Sequence, residues 1–183
     1  MPEREPAPGP LAVVQRFVNT LDLEGRDERL PDAEALRGWL AAAGLLGGDP
    51  VVGAAELERA IALREALRDV LSGDQAAVER VNAAGERAGL RALLRPDGRS
   101  TLEPTAAGVD GALGRLVAIV HGAVAAGTWA HLKACDRDRC RWAFYDHSKN
   151  HSARWCVMNI CGAKEKSARA YRRRRDRDSA KRS

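Results

Sequence analysis

Four cysteines stand in the last third of the chain as two matched pairs, Cys135-x4-Cys140 and Cys156-x4-Cys161, with fifteen residues between the pairs. Two thiolates on one tight turn and two on another can close a tetrahedron around Zn²⁺ with bonds of about 2.3 Å, and the spacing lies in the range that structural zinc sites use. A catalytic zinc keeps a position open, whereas four cysteines close the shell. The metal is therefore expected to be structural, adding roughly 10 kcal/mol of folding free energy to a segment too small to hold itself together. The other readings of the four thiols are two disulfides or free cysteines. Residues 1–10 are rich in Pro and Glu without the apolar run of a secretory signal. A cytoplasmic, reducing environment is expected, and it favours metal over disulfide. His131, His147 and His151 lie close by and could substitute as ligands, which four thiolates make unnecessary.

The charge around these cysteines is lopsided. Residues 1–128 carry 14 Arg against 19 Asp and Glu, and residues 129–183 carry 16 Lys and Arg against 6 Asp and Glu, so an acidic body bears a basic tail. Lys164, Lys166, Arg169 and the run Arg172 to Arg175 follow the last cysteine directly, so the metal would mount a basic helix. Such a helix can neutralise phosphates. Lys164, Lys166, Arg169, Arg172 and Arg173 are the expected contacts on the helix, joined by Arg141, Lys149 and Arg154 from the cysteine segment. The plain alternative for the run is a solvated charged terminus. Trp142, Phe144 and Trp155 are expected to form the small core of the metal module, not to stack on bases.

The elements that must position this module are mostly helical. Leu11, Val14, Phe17, Val18 and Leu21 recur at helical steps and predict a first helix reaching toward Gly25. Pro31, Asp32 and Glu34 mark the start of a second, whose stripe is Leu36, Trp39 and Leu40 and whose stop is Gly44. A third buries Leu57, Ile61, Leu67, Val70 and Leu71 and turns Glu58, Arg64, Glu65, Arg68 and Asp69 outward, ending at Ser72-Gly73. Asp74 opens a fourth, running through Val78 and Val81 to Gly85 or Gly89. Residues 90–94 and 100–103 flank Arg95-Pro96-Asp97-Gly98-Arg99, a turn sequence that predicts one β-hairpin. A fifth helix carries Leu113, Leu116, Val117, Val120 and Val124 and leads to Trp129. Its apolar stretch holds His121, Gly122 and Gly127 and reads as a buried helix, not a membrane span.

The fold class is thus mainly α: residues 1–10 a disordered N-terminus, 11–128 a helical domain with a hairpin near 90–103, and 129–183 a four-cysteine zinc finger with a basic C-terminal helix. Asn19 and Thr20 close the first helix and could line a ligand pocket with Trp39. Helix-end hydrogen bonding is the commoner use of such residues.

The segment Arg154-Trp155-Cys156-Val157-Met158-Asn159-Ile160-Cys161-Gly162-Ala163-Lys164, with the upstream Cys135-x4-Cys140 and Phe144-Tyr145-Asp146-x-Ser148-Lys149-Asn150, resembles the CGNR zinc-finger family. Phe17-Val18-Asn19-Thr20-Leu21 and Leu36-Arg37-Gly38-Trp39-Leu40 resemble the ABATE domain that usually precedes that finger. The resemblance implies a bacterial DNA-binding transcription regulator of the stress-induced kind, with the finger as its DNA-binding part. The name-giving Cys-Gly-Asn-Arg reads here Cys161-Gly162-Ala163-Lys164. Ala cannot bond a base edge and Lys offers a point charge where Arg offers a fork.

No glycine-rich phosphate loop precedes a helix and no nucleophile stands near a plausible base, so an enzyme is not expected. The expected function is a DNA-binding regulator with structural zinc, its N-terminal domain sensing an effector or forming a homodimer, without a membrane partner. The alternative is a zinc-stabilised RNA-binding or protein-interaction module.

Overall fold

The computed structural model describes residues 5–48 and 50–180; the side chains of Arg169 and of residues 176–180 lie outside that description. Among the described residues, six α-helices and three short antiparallel strand pairs follow one another along the chain.

Helix α1 (Leu11–Val18) buries Leu11, Val14, Phe17 and Val18 along one stripe. It ends earlier than its apolar spacing predicts. Asn19 leaves the helix, and Leu21 enters a two-residue strand, β1 (Leu21–Asp22), which pairs with β2 (Asp27–Glu28). Two-residue strands carry no alternation by which a sequence could announce them. Before α1, the expected disorder does not hold for all of residues 5–10. The Ala7 side chain is buried, its N–H donates to Gln15 Oε1 at 2.7 Å, and the Pro6 carbonyl lies 3.2 Å from His147 Nε2. Residues 1–4 of that segment lie outside the described residues.

Helix α2 (Ala33–Ala42) starts where Asp32 accepts the Ala35 N–H at 2.8 Å, as a capping aspartate should, and stops at Gly44. Helix α3 (Ala54–Leu71) differs from its predicted faces. Arg64 and Arg68 were expected to point outward and are instead among the most buried side chains, 2% and 0% exposed. Periodicity assigns charge to solvent, but here the partners are internal: Arg64 forks onto Glu28 at 2.7 and 2.9 Å and reaches Thr20, and Arg68 donates to the carbonyls of Val18 and Leu21. Two guanidiniums are thus paired and hydrogen-bonded, the only terms on which charge is kept inside.

Helix α4 (Ala77–Arg87) ends at Gly89 and leads into the predicted hairpin, β3 (Leu90–Leu94) with β4 (Ser100–Pro104), in register from Leu90↔Pro104 to Leu94↔Ser100. Helix α5 (Gly108–Ala125) packs against α1, α3, α4 and β4 and forms the centre of the body. Gly114 permits this approach, since a Cβ there would stand 2.4 Å from Ala88 Cβ. By length and composition α5 could cross a bilayer, with 39% of its apolar window buried in the protein. A 3₁₀ turn, Trp129–His131, then passes directly into the third strand pair, β5 (Leu132–Ala134) with β6 (Ala143–Tyr145). The last described elements are one wide π-type turn, Met158–Gly162, and the helix that continues it, α6 (Ala163–Ala180).

Metal centre and basic surface

Each cysteine pair is shaped by its own local turn. Cys135 follows β5, and Cys140 closes a turn in which its N–H reaches the Arg137 carbonyl at 2.8 Å; Arg141 then takes φ 46° to re-enter β6. In the second pair Cys156 precedes the π-type turn and Cys161 lies within it, with the Cys161 N–H on the Val157 carbonyl at 2.8 Å. These two turns bring all four sulfurs within 4.8 Å of one another, with Cys140–Cys156 and Cys156–Cys161 both at 3.6 Å. Bonds of about 2.3 Å in a tetrahedron require sulfurs about 3.8 Å apart. Four cysteines at that spacing fit one Zn²⁺.

The electrostatics point the same way. Hydrogen bonds from Cys140 and Cys156 draw the Cys135 thiol down to about 2. That thiolate, by its hydrogen bond and its charge, pushes Cys140 up to about 12 and Cys156 higher still. A second thiolate beside Cys135 would face the first in a buried, apolar site, which is what raises Cys140 and Cys156. A divalent cation removes the conflict and lets all four ionise. Phe144 is buried in contact with the cysteines, and Trp142, Trp155, Val157 and Ile160 pack around them. These rings form the expected small core. The four cysteines hold a structural zinc.

Asp146 is a member of this module that spacing alone did not assign. It is 1% exposed and accepts from Lys133 Nζ at 2.8 Å, from the Ser148 hydroxyl and N–H, and from the Ala153 N–H. Burial raises its carboxyl, but these donors outweigh that and hold it below the usual carboxylate range. It staples the loop between the two cysteine pairs. The signal was its place ahead of Ser148 in a turn-forming run, which is weak without Lys133 beside it.

The finger is bolted to the body by side chains far apart in sequence. Asn19 donates to the Ala143 carbonyl and accepts its N–H, both at 2.8 Å, pairing with β6 as a neighbouring strand would. Arg68 donates to the Arg141 carbonyl, and Arg141 pairs with Asp69 at 2.5 Å. Glu24, in the β1–β2 turn, grips both Arg137 at 2.5 Å and Lys164 at 2.6 Å. Hydrogen bonds from Arg137 and then Lys164 hold its carboxyl at about 2.

These contacts sort the expected phosphate-binding residues. Arg141, Arg154 and Lys164 are each paired with a carboxylate, of Asp69, Asp136 and Glu24 respectively, and Arg172 with Glu165. Lys149, Lys166 and Arg173 are exposed, as are Arg174 and Arg175, with Lys166 and Arg173 on α6 and Lys149 on the preceding loop. Arg139, not singled out from sequence, is also exposed beside the first cysteine turn. The Arg169 side chain lies outside the described residues.

The residues considered for a ligand pocket are used otherwise. Asn19 is spent on Ala143; Thr20 is buried, donates to the Phe17 carbonyl at 2.8 Å and accepts from Arg64; Trp39 packs its ring on Phe17 at 5.3 Å. The helix-end role accounts for Thr20. The two larger cavities described for the body have other linings.

Residues 11–134 match the family model ABATE, described as "putative stress-induced transcription regulator". Residues 131–175 match the CGNR zinc finger model, and the two matches together run from α1 into the basic helix. No curated protein matches the chain.

Proposed function

The chain belongs to the ABATE family and ends in a CGNR zinc finger, and from that premise we propose that it is a DNA-binding transcriptional regulator of the bacterial cytoplasm and not an enzyme. One observation carries the reading. Helix α6 starts from the metal centre itself, with Cys161 in its lead-in turn, and carries the exposed Lys166, Arg173, Arg174 and Arg175 away from it. A zinc shell that fixes the first turn therefore fixes the direction in which the cations project. With Lys149 and Arg139 alongside, these groups can lie along a phosphate backbone. Backbone contacts position a protein without reading sequence, and the family's Asn and Arg at positions 163 and 164 are absent here. Lys164 is moreover engaged by Glu24. Binding is expected to be strong in charge and weak in sequence preference, and one finger of this size covers little DNA, so a homodimer would raise both affinity and selectivity.

The second reading is a zinc-stabilised RNA-binding or protein-interaction module. Tyr171 favours it, since the ring is 68% exposed on the same basic helix and could stack on an unpaired base. Mobility shifts with duplex DNA, a scrambled duplex and RNA, each repeated after zinc chelation, separate the two. Duplex preference lost on chelation supports the regulator. Preference for RNA, or shifts that survive chelation, overturns it.

The N-terminal domain is proposed as the effector-sensing or dimerising part. Its acidic surface meets the finger at Glu24 and Asp69, so any change in their placement reaches Arg137, Lys164 and Arg141 directly.

A further inference from the structure

We infer that the body of the protein holds a binding site for a small hydrophobic cation, in a cavity of about 730 Å³ between α3, α4 and α5. The volume suits one small molecule. Its walls are aliphatic, built from Leu67 and Val70 of α3, Val81 of α4, and Val117 and Val120 of α5, with Trp129 at one end. Its polar groups stand apart from these walls. Glu79, Asn82 and Glu86 come from one edge of α4 at steps of three and four residues, and His121 faces in from α5.

The sign of the charge decides the class of ligand. Neither Glu79 nor Glu86 has an ion-pair partner among the described residues, and no Lys or Arg is among the residues lining the cavity. Helix α5 reaches its C-terminal turn here with no basic residue in that turn, so its carbonyl end adds partial negative charge. Trp129 is among the lining residues, and an indole ring attracts a cation more than a neutral group. An anion of equal size would meet two carboxylates with nothing to balance them. A neutral molecule would gain the apolar walls alone. An apolar body bearing one positive charge, as in a hydrophobic amine or a quaternary ammonium compound, satisfies both halves of the site.

The site also has a route to the finger. Trp129 begins the 3₁₀ turn that runs into β5, and Cys135 directly follows the last residue of β5, Ala134. A ligand against Trp129 therefore presses on the segment that leads through β5 to the first zinc ligand. This consequence rests on the sensing role proposed above, but binding itself is measured without DNA.

The probes are three octyl amphiphiles kept below their micelle concentrations: octyltrimethylammonium, octyl glucoside and octyl sulfate. Each is titrated into the full-length zinc-loaded chain while tryptophan emission is followed. Saturable binding of the ammonium at least tenfold tighter than of the glucoside is expected, with octyl sulfate weaker still. The emission change should vanish in Trp129→Phe. In a Glu79→Gln, Glu86→Gln double variant, whose altered side chains are exposed and whose circular dichroism should be unchanged, the ammonium should fall to the level of the glucoside. Equal affinity for all three head groups, an ammonium response that persists in Trp129→Phe, or full ammonium preference in the double glutamine variant would each overturn the inference. Ammonium binding as expected by a chain that ignores DNA would sink the regulator reading and leave this site standing.

Discussion

At the scale of single residues, Asn19 does what a β-strand would do. Its amide gives β6 one donor and one acceptor, and its loss would leave the Ala143 N–H buried without a partner and the Ala143 C=O with only Gln15 Nε2 at 3.4 Å. Asn19→Ala is expected to cost about 1 to 3 kcal/mol, the range for one buried polar group left unsatisfied. Urea unfolding with an unchanged m value should show this as a lower midpoint, and an unchanged midpoint would refute the strand-like role. Glu24 makes a second residue-scale prediction. Its folded carboxyl lies at about 2 against an ordinary 4.5, so its contribution to stability is complete above 4.5 and drains away as pH falls toward 2. Its carboxyl carbon, followed by NMR, should still report the ionised form at about pH 4, where an unshifted glutamate is mostly protonated. The cysteines were legible in the sequence because a metal ligand set is written in local spacing. Asn19 was not, because its partner lies 124 positions away. Arg64 and Arg68 were misplaced for the same reason: a charged residue on a helix reads as solvent-facing until the carboxylate and carbonyls around it are known.

At the scale of elements, the β3–β4 hairpin and the start of α2 were readable because each is specified by residues at its own boundary, Pro96-Asp97-Gly98 and Asp32. Of the two glycines offered as the stop of α4, it is Gly89 that follows the helix, while Gly85 lies within it. The β1–β2 and β5–β6 pairs were not, since strands of two and three residues are set by what they pack on. The finger is the element most dependent on its metal. Chelation is expected to unfold residues 132–162 while α3, α4 and α5 keep their protection in hydrogen exchange, because those helices pack on one another and not on zinc. The body should nonetheless melt at a lower temperature, having lost the β6 contacts to Asn19 and Gln15. Protection of β5 and β6 that survives zinc removal would contradict a metal-dependent mount.

At the scale of the whole molecule, an acidic body holds a basic finger through a few carboxylates, and the cations left over face outward along α6. Segment charge made this division visible in the sequence. Which cations remain free was not visible, since Glu24, Asp69 and Asp136 become partners only in the fold. If about six phosphates are neutralised, the logarithm of affinity should fall with the logarithm of salt at a slope of about −5, at ~0.9 for each contact. Replacing Lys166 or Arg173 by Ala should each flatten the slope by about 0.9 without changing sequence preference. The most direct test is therefore a salt series of duplex binding, read by fluorescence anisotropy on the zinc-loaded and the zinc-stripped chain side by side. A slope near −5 that collapses once zinc is removed is the predicted result. A flat salt dependence, or the same slope with and without metal, would contradict the claim that zinc mounts this helix on DNA.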